Sequence, residues 1–325
     1  GTEGLEHLSL RRLAGTEETM AGERSGPVFF LFPFFRQTVI MLFTKPCYRK
    51  GMRPMPNYYA HLVFGRRVLS RLPALLRSGL SREEDAFLAG CLGPDPLFFY
   101  RPLFPNLPRQ TGIDLHHHSF RAPAQGLLAA VEEGAPFAGS YAAGFLCHFA
   151  LDSACHPLVT AQAVHGLAHS AVESELDRVL MLSEGVDPLR RTPLPPFRLP
   201  DDFFATVTAA VCPAITPEQF RQALSSFRRV CRLQTRGAGT WIQRAADGLG
   251  RLPQLSALRG SVLTPRPDPA CAPAAALLLQ MLEASVAPTV RAVTEFFSAA
   301  GAGGTLDDWY DRDFYGGRVP APVMV

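Results

Sequence analysis

The sequence predicts an all-α protein, a multi-helix bundle closing over a buried cleft. Three observations carry this. Apolar residues recur at helical spacing in successive segments from Leu62 to Phe297. Two histidine–carboxylate pairs, His148/Asp152 and His169/Glu173, stand at i,i+4, which puts both members on one helical face. Helix boundaries are marked by Pro73, by Ser81 with Glu84, and by Thr216 with Pro217.

Residues 1–54 differ in character from the rest of the chain. Gly1 to Gly26 is polar and lacks periodicity; Pro27 to Phe43 is apolar but broken by Pro33 and Arg36, too short and interrupted for a secure membrane span. This segment is expected to be a poorly ordered extension or a misassigned translation start. A helical domain is expected over residues 55–300 and a tail over 301–325.

The first helix carries an apolar stripe of Leu62, Val63, Val68, Leu69 and Leu72, ended by Pro73, with His61 in its first turns. Ser81 and Glu84 read as a capping box that opens a second helix through Gly90. Gly93-Pro94-Asp95-Pro96 is a tight turn holding a carboxylate on rigid backbone. His116, His117 and His118 follow in a row. Consecutive helical residues diverge, so at most one or two of them reach a common point. Tyr141 to Leu151 is apolar enough for a buried helix, yet contains His148.

The helix that carries His169 and Glu173 continues through Asp177, read as an exposed carboxylate. Arg190 to Pro200 is a Pro-rich, extended connection. Phe204 to Val211, Pro217 to Leu233 and Ala274 to Phe297 read as scaffold helices, Arg251 to Pro269 as loop, and Thr305 to Tyr315, acidic and aromatic, as a surface tail.

His148, Asp152, His156, His169 and Glu173 are five candidate metal ligands within about two helices. A bare buried imidazole or carboxylate costs a few kcal/mol. Seven of the nine histidines fall between His116 and His169, which packing alone does not explain. Imidazole with carboxylate suits zinc.

Composition bounds the rest. Apolar residues make up 47% of the 325, enough for a large core, and a net charge of +3 gives no strong case for a nucleic-acid partner. Seven cysteines at irregular spacing, with no CxxC, fit a reducing compartment and a cytoplasmic location, with membrane association if residues 27–43 are an anchor. No GxGxxG, P-loop or GxSxG motif is present, so nucleotide cofactors and serine catalysis have no support.

The segments YAHLVFG, GPDPLFFYRPL, LHHHSF, GFLCHFALDSACHP and HSAVESELDR occur in that order between Met55 and Met181. Together they resemble the zinc-dependent phospholipase C family in its compact bacterial branch, whose wider superfamily includes the S1/P1-type nucleases. The resemblance implies an all-helical fold holding two to three zinc ions in a cleft. It implies one zinc on His148, Asp152 and one of His116 and His117, a second on His156, His169 and Glu173, and a third on His61 sharing Asp152. Asp95 matches the family's residue near the attacking water, as general base or as ligand. His118 and His165 have no clear counterpart.

The implied activity is zinc-dependent phosphodiester hydrolysis on phospholipid head groups, with transient membrane-surface contact. One alternative is an S1/P1-like nuclease, stacking bases on Tyr58, Tyr59, Phe98, Phe99 or Tyr100; another is a non-catalytic metal-binding scaffold. Two departures stand out. The step from Asp152 to His156 is shorter than in the secreted phospholipases. Those enzymes also use a free amino terminus as a ligand of the third zinc. His61 lies too close to Met55 for that arrangement, leaving water or Asp95 as the substitute.

Overall fold

The computed structural model describes residues 58–102, 105–189, 194–236, 240–249, 251 and 259–319. The expected extension over residues 1–54 lies outside them. Eleven α-helices account for most of the described residues, and no strand is present among these. They are α1 (Tyr58–Arg71), α2 (Ala74–Arg82), α3 (Glu84–Cys91), α4 (Leu107–His117), α5 (Arg121–Glu132), α6 (Ala138–Val164), α7 (His169–Ser183), α8 (Asp201–Val211), α9 (Pro217–Arg236), α10 (Trp241–Leu249) and α11 (Ala272–Ala302). Two 3-10 turns, Asp95–Phe99 and Asp308–Asp311, complete the order.

The bundle is built around α6. This helix is apolar on nearly every side, as a helix surrounded by others must be. It packs against α3, α11, α1, α5 and α7. Its contact with α3 is backbone on backbone: a Cβ added to Gly144 would lie 2.0 Å from the Phe87 carbonyl, and one added to Gly90 2.3 Å from that of Tyr141. The helix runs unbroken past the His156-Pro157 step, so His148, Asp152 and His156 all lie on one element. Pro157 lacks the N–H that would bond the Ser153 carbonyl one turn back.

α9 is amphipathic, burying Phe220, Ala223, Leu224, Phe227 and Cys231 on one face. It begins with a reciprocal cap, Gln219 N–H on Thr216 Oγ1 at 3.2 Å and Thr216 N–H on Gln219 Oε1 at 2.8 Å. Phe227 meets Phe99 and Tyr58 edge-on, locking α9 against the first 3-10 turn and α1. α11 is long and apolar enough to cross a membrane by length and composition, but it lies along α6, α7 and α1 with Leu278, Leu282, Val286, Val293 and Phe296 buried.

Three local expectations are corrected. Ser81 sits inside α2, which runs on to Arg82, and α3 starts after Glu83 with no side-chain cap, so the Ser81–Glu84 box does not form. Asp177 is buried, not exposed: its carboxylate accepts the N–H of Ala60 at 2.8 Å and of Tyr59 at 3.2 Å, capping the first turn of α1. Residues 305–319 are not a surface tail. Tyr310 and Phe314 are buried, and Phe314 joins an aromatic cluster with Phe120, Phe145 and Phe149.

Candidate metal centre

α6 supplies His148, Asp152 and His156 at i, i+4 and i+8, one stripe facing one direction. α7 supplies His169, its first residue, and Glu173 one turn later. His61 comes from the first turn of α1, Asp95 from the first 3-10 turn and His116 from the last turn of α4. All eight are buried. Their donor atoms fall into three close groups, His61/His148/Asp152, Asp95/His116/His148 and His156/His169/Glu173.

Asp152 is the hub. Its Oδ1 lies 3.1 Å from His61 Nε2 and 3.7 Å from His156 Nε2. Its Oδ2 lies 3.2 Å from His148 Nε2 and 3.8 Å from His116 Nε2. Asp95 Oδ1 is 3.1 Å from His116 Nε2, and Glu173 Oε1 is 2.9 Å from His169 Nε2 and 3.6 Å from His156 Nε2.

Backbone carbonyls orient three of the imidazoles. His116 Nδ1 donates to the Gly112 carbonyl at 2.8 Å, His148 Nδ1 to that of Cys91 at 3.1 Å, and His156 Nδ1 to that of Phe314 at 2.8 Å. Each bond fixes the tautomer and leaves the Nε2 lone pair facing the centre. The Gly93-Pro94-Asp95 turn has its reason here. Gly93 has φ +53°, and a Cβ on it would fall 2.3 Å from the His148 ring, so only glycine lets this turn lie against the imidazole.

The electrostatics are those of carboxylates packed among imidazoles. Burial works against the charge on Asp152, but His156, His148 and His61 outweigh it and hold the carboxyl well below the usual range. Burial likewise opposes charge on His156, yet Asp152 and Glu173 keep its pKa up at about 9. For His148 burial wins, and its pKa is lowered.

The donor set fits a divalent cation. His116 and His148 Nε2 stand 3.1–3.2 Å from carboxylate oxygens, yet neither has a hydrogen-bond partner; with Nδ1 donating to a backbone carbonyl, each Nε2 carries a lone pair and cannot donate to the oxygen. Glu173 Oε2 also lacks a partner. Zinc–donor distances near 2.0–2.1 Å place neighbouring tetrahedral donors about 3.3 Å apart, the spacing found between these nitrogen and oxygen atoms.

One expected ligand is not brought in. His117 turns away from the centre, and its half-buried ring stacks on Tyr315, centroids 5.1 Å apart. Of the adjacent pair, His116 is the residue in the cleft. Asp95 faces His116 and groups with His116 and His148, whereas His61 groups with His148 and Asp152. His118 is exposed with Nδ1 on the Asp114 carbonyl, and His165 is exposed beyond α6. A cavity of about 490 Å³ lined by Ala168, Ala171, Ser174, Glu175, Arg251 and Arg259, among others, contains none of the eight converging residues.

Sequence reasoning missed the contribution of Phe314 and Tyr315. Tyr315 stacks on His156, centroids 5.0 Å apart, and Phe314 lies against His116 and His148. The aromatic run around Trp309 to Tyr315 was the available signal.

Fold and site together define a helical bundle whose buried cluster of imidazoles and carboxylates could hold metal ions. Residues 60–206 match the family described as zinc-dependent phospholipase C. The match begins in α1 and ends in α8, so it takes in every one of the eight converging residues. No curated protein and no solved structure matches. The family supports a zinc-dependent, phospholipase C-like hydrolase function.

Proposed function

We propose that the chain hydrolyses phosphodiesters with zinc, acting on phospholipid head groups. The observation that carries this reading is the surround of Asp152, one buried carboxylate facing four imidazole Nε2 atoms. His116, His148 and Asp152 Oδ2 would hold one ion, with Asp95 beside His116. His156, His169 and Glu173 would hold a second, and His61 with Asp152 Oδ1 a third. Zinc bound there supplies Lewis acidity and a nucleophilic water at neutral pH. Asp152 contributes by sharing its charge between neighbouring positions, and the three backbone carbonyls by keeping the rings preorganised.

The nuclease alternative asks for accessible aromatics to stack bases. Tyr58, Tyr59, Phe98, Phe99 and Tyr100 are all buried, and Phe98 and Phe99 pack against His116 and Phe227. They serve the core, which favours the lipid reading. The test is turnover of phosphatidylcholine and of single-stranded DNA, measured side by side on the zinc-loaded protein. Phosphatidylcholine cleavage that chelator abolishes and zinc restores is the expected result. DNA cleavage alone would make the protein a nuclease, and turnover of neither would leave a metal-binding scaffold.

A further inference from the structure

Residues 305–319 form a strap that lies outside the matched span of 60–206. It is firmly held. The Arg121 guanidinium pairs with the Asp311 carboxylate and donates to the carbonyls of Leu306 and Asp307. Phe120 N–H bonds the Arg312 carbonyl at 2.9 Å. Asp313 Oδ1 accepts the N–H groups of Tyr315 and Gly317 at 2.9 and 2.8 Å, closing a tight turn.

That turn reaches the metal centre through two residues. Phe314 N–H bonds the His116 carbonyl at 3.3 Å, its ring packs on His116 and His148, and its carbonyl takes the Nδ1–H of His156. Tyr315 covers the His156 ring, interplanar angle 27°. In the His156/His169/Glu173 group, His169 Nδ1 has no hydrogen-bond partner. His156 Nδ1, by contrast, is held by the Phe314 carbonyl of the strap. An imidazole binds metal through a lone pair, and a carbonyl on the opposite nitrogen fixes which nitrogen carries it.

We infer that the strap is a positioning element of the metal centre, its Phe314 carbonyl and Tyr315 ring setting the zinc affinity of the His156/His169/Glu173 group. This rests on the reading that the group holds zinc. Gly316 is the point where the strap meets α6: φ is +77°, and a Cβ would fall 2.5 Å from the Ser153 carbonyl. Gly316→Ala must lift the turn off α6. Gly134, φ +71° with nothing within 4 Å of an added Cβ, is a glycine under the same backbone demand far from the strap.

The test is zinc titration of the metal-free full-length chain against a chromophoric chelator, with the absorption spectrum of the cobalt-substituted protein as second readout. Gly316→Ala and Tyr315→Ala should each bind zinc about tenfold or more weakly at one site and alter the cobalt spectrum. Gly134→Ala should bind as wild type does. Helicity by circular dichroism accompanies each variant, and Tyr315→Ala, a half-buried rim residue, carries the test if Gly316→Ala misfolds. Wild-type affinity and an unchanged cobalt spectrum in Tyr315→Ala would overturn the inference while leaving the zinc reading intact. A wild-type chain that takes up no zinc would overturn the zinc reading and the inference with it.

Discussion

Asp152→Asn removes one charge and almost no volume. In the structure that charge faces four Nε2 atoms at 3.1, 3.2, 3.7 and 3.8 Å, from α1, α4 and two turns of α6. At an effective dielectric of about 20, a unit charge roughly 2 Å from a divalent ion is worth on the order of 15 kcal/mol of gross attraction. Asparagine keeps a neutral carbonyl ligand, so only part of this is lost. A tenth of it, about 1.4 kcal/mol, already costs tenfold in affinity. Asp152→Asn should therefore lose zinc after dialysis and drop in phosphodiester turnover by at least roughly 100-fold, with helicity retained. Zinc by elemental analysis, circular dichroism and hydrolysis of a chromogenic phosphodiester check the three parts. Full zinc content with full turnover would make Asp152 a hydrogen-bonding core residue and refute the shared site.

Other changes separate the neighbouring roles. Asp95→Asn should lower zinc content, since Asp95 Oδ1 stands 3.1 Å from His116 Nε2 in a close group with His148; zinc retained with turnover lost would instead make Asp95 a general base. His116→Ala should lower zinc content while His117→Ala leaves its stoichiometry unchanged, and the reverse pattern would exchange their roles. Burial lifts Asp177 to about 7 in the metal-free protein, against about 3.9 in an unfolded chain. Folding then takes up a proton between roughly pH 4 and 7, so this group makes stability fall as pH rises through that window. Denaturation of metal-free Asp177→Asn at pH 5 and 7.5 should show a smaller difference than wild type, and an equal difference would contradict the assignment.

What the sequence disclosed was local. The pairs His148/Asp152 and His169/Glu173 could be read because helical phase is fixed over one turn. His156 was a candidate from its sequence position, and what the structure adds is that α6 continues through Pro157 and so carries His156 on the stripe of His148 and Asp152. Choosing between His116 and His117 required the packing of α4 against the Asp95–Phe99 turn, which no local pattern encodes. Asp177 could have been found: it continues the His169–Glu173 stripe by one more turn, and its partners are the N–H groups opening α1. For the strap the sequence offered only the aromatic run around Trp309 to Tyr315; where it docks was not legible, because Phe314 meets His156 across 158 residues of chain.

Anomalous diffraction at the zinc edge from crystals of the full chain would place the ions directly. Peaks within about 2.2 Å of Asp152 and of the Nε2 atoms of His148 and His116, with a further peak among His156, His169 and Glu173, are the expected result. Crystals grown with zinc that show no peak beside Asp152, or peaks only on surface histidines such as His118 and His165, would contradict a buried multinuclear centre.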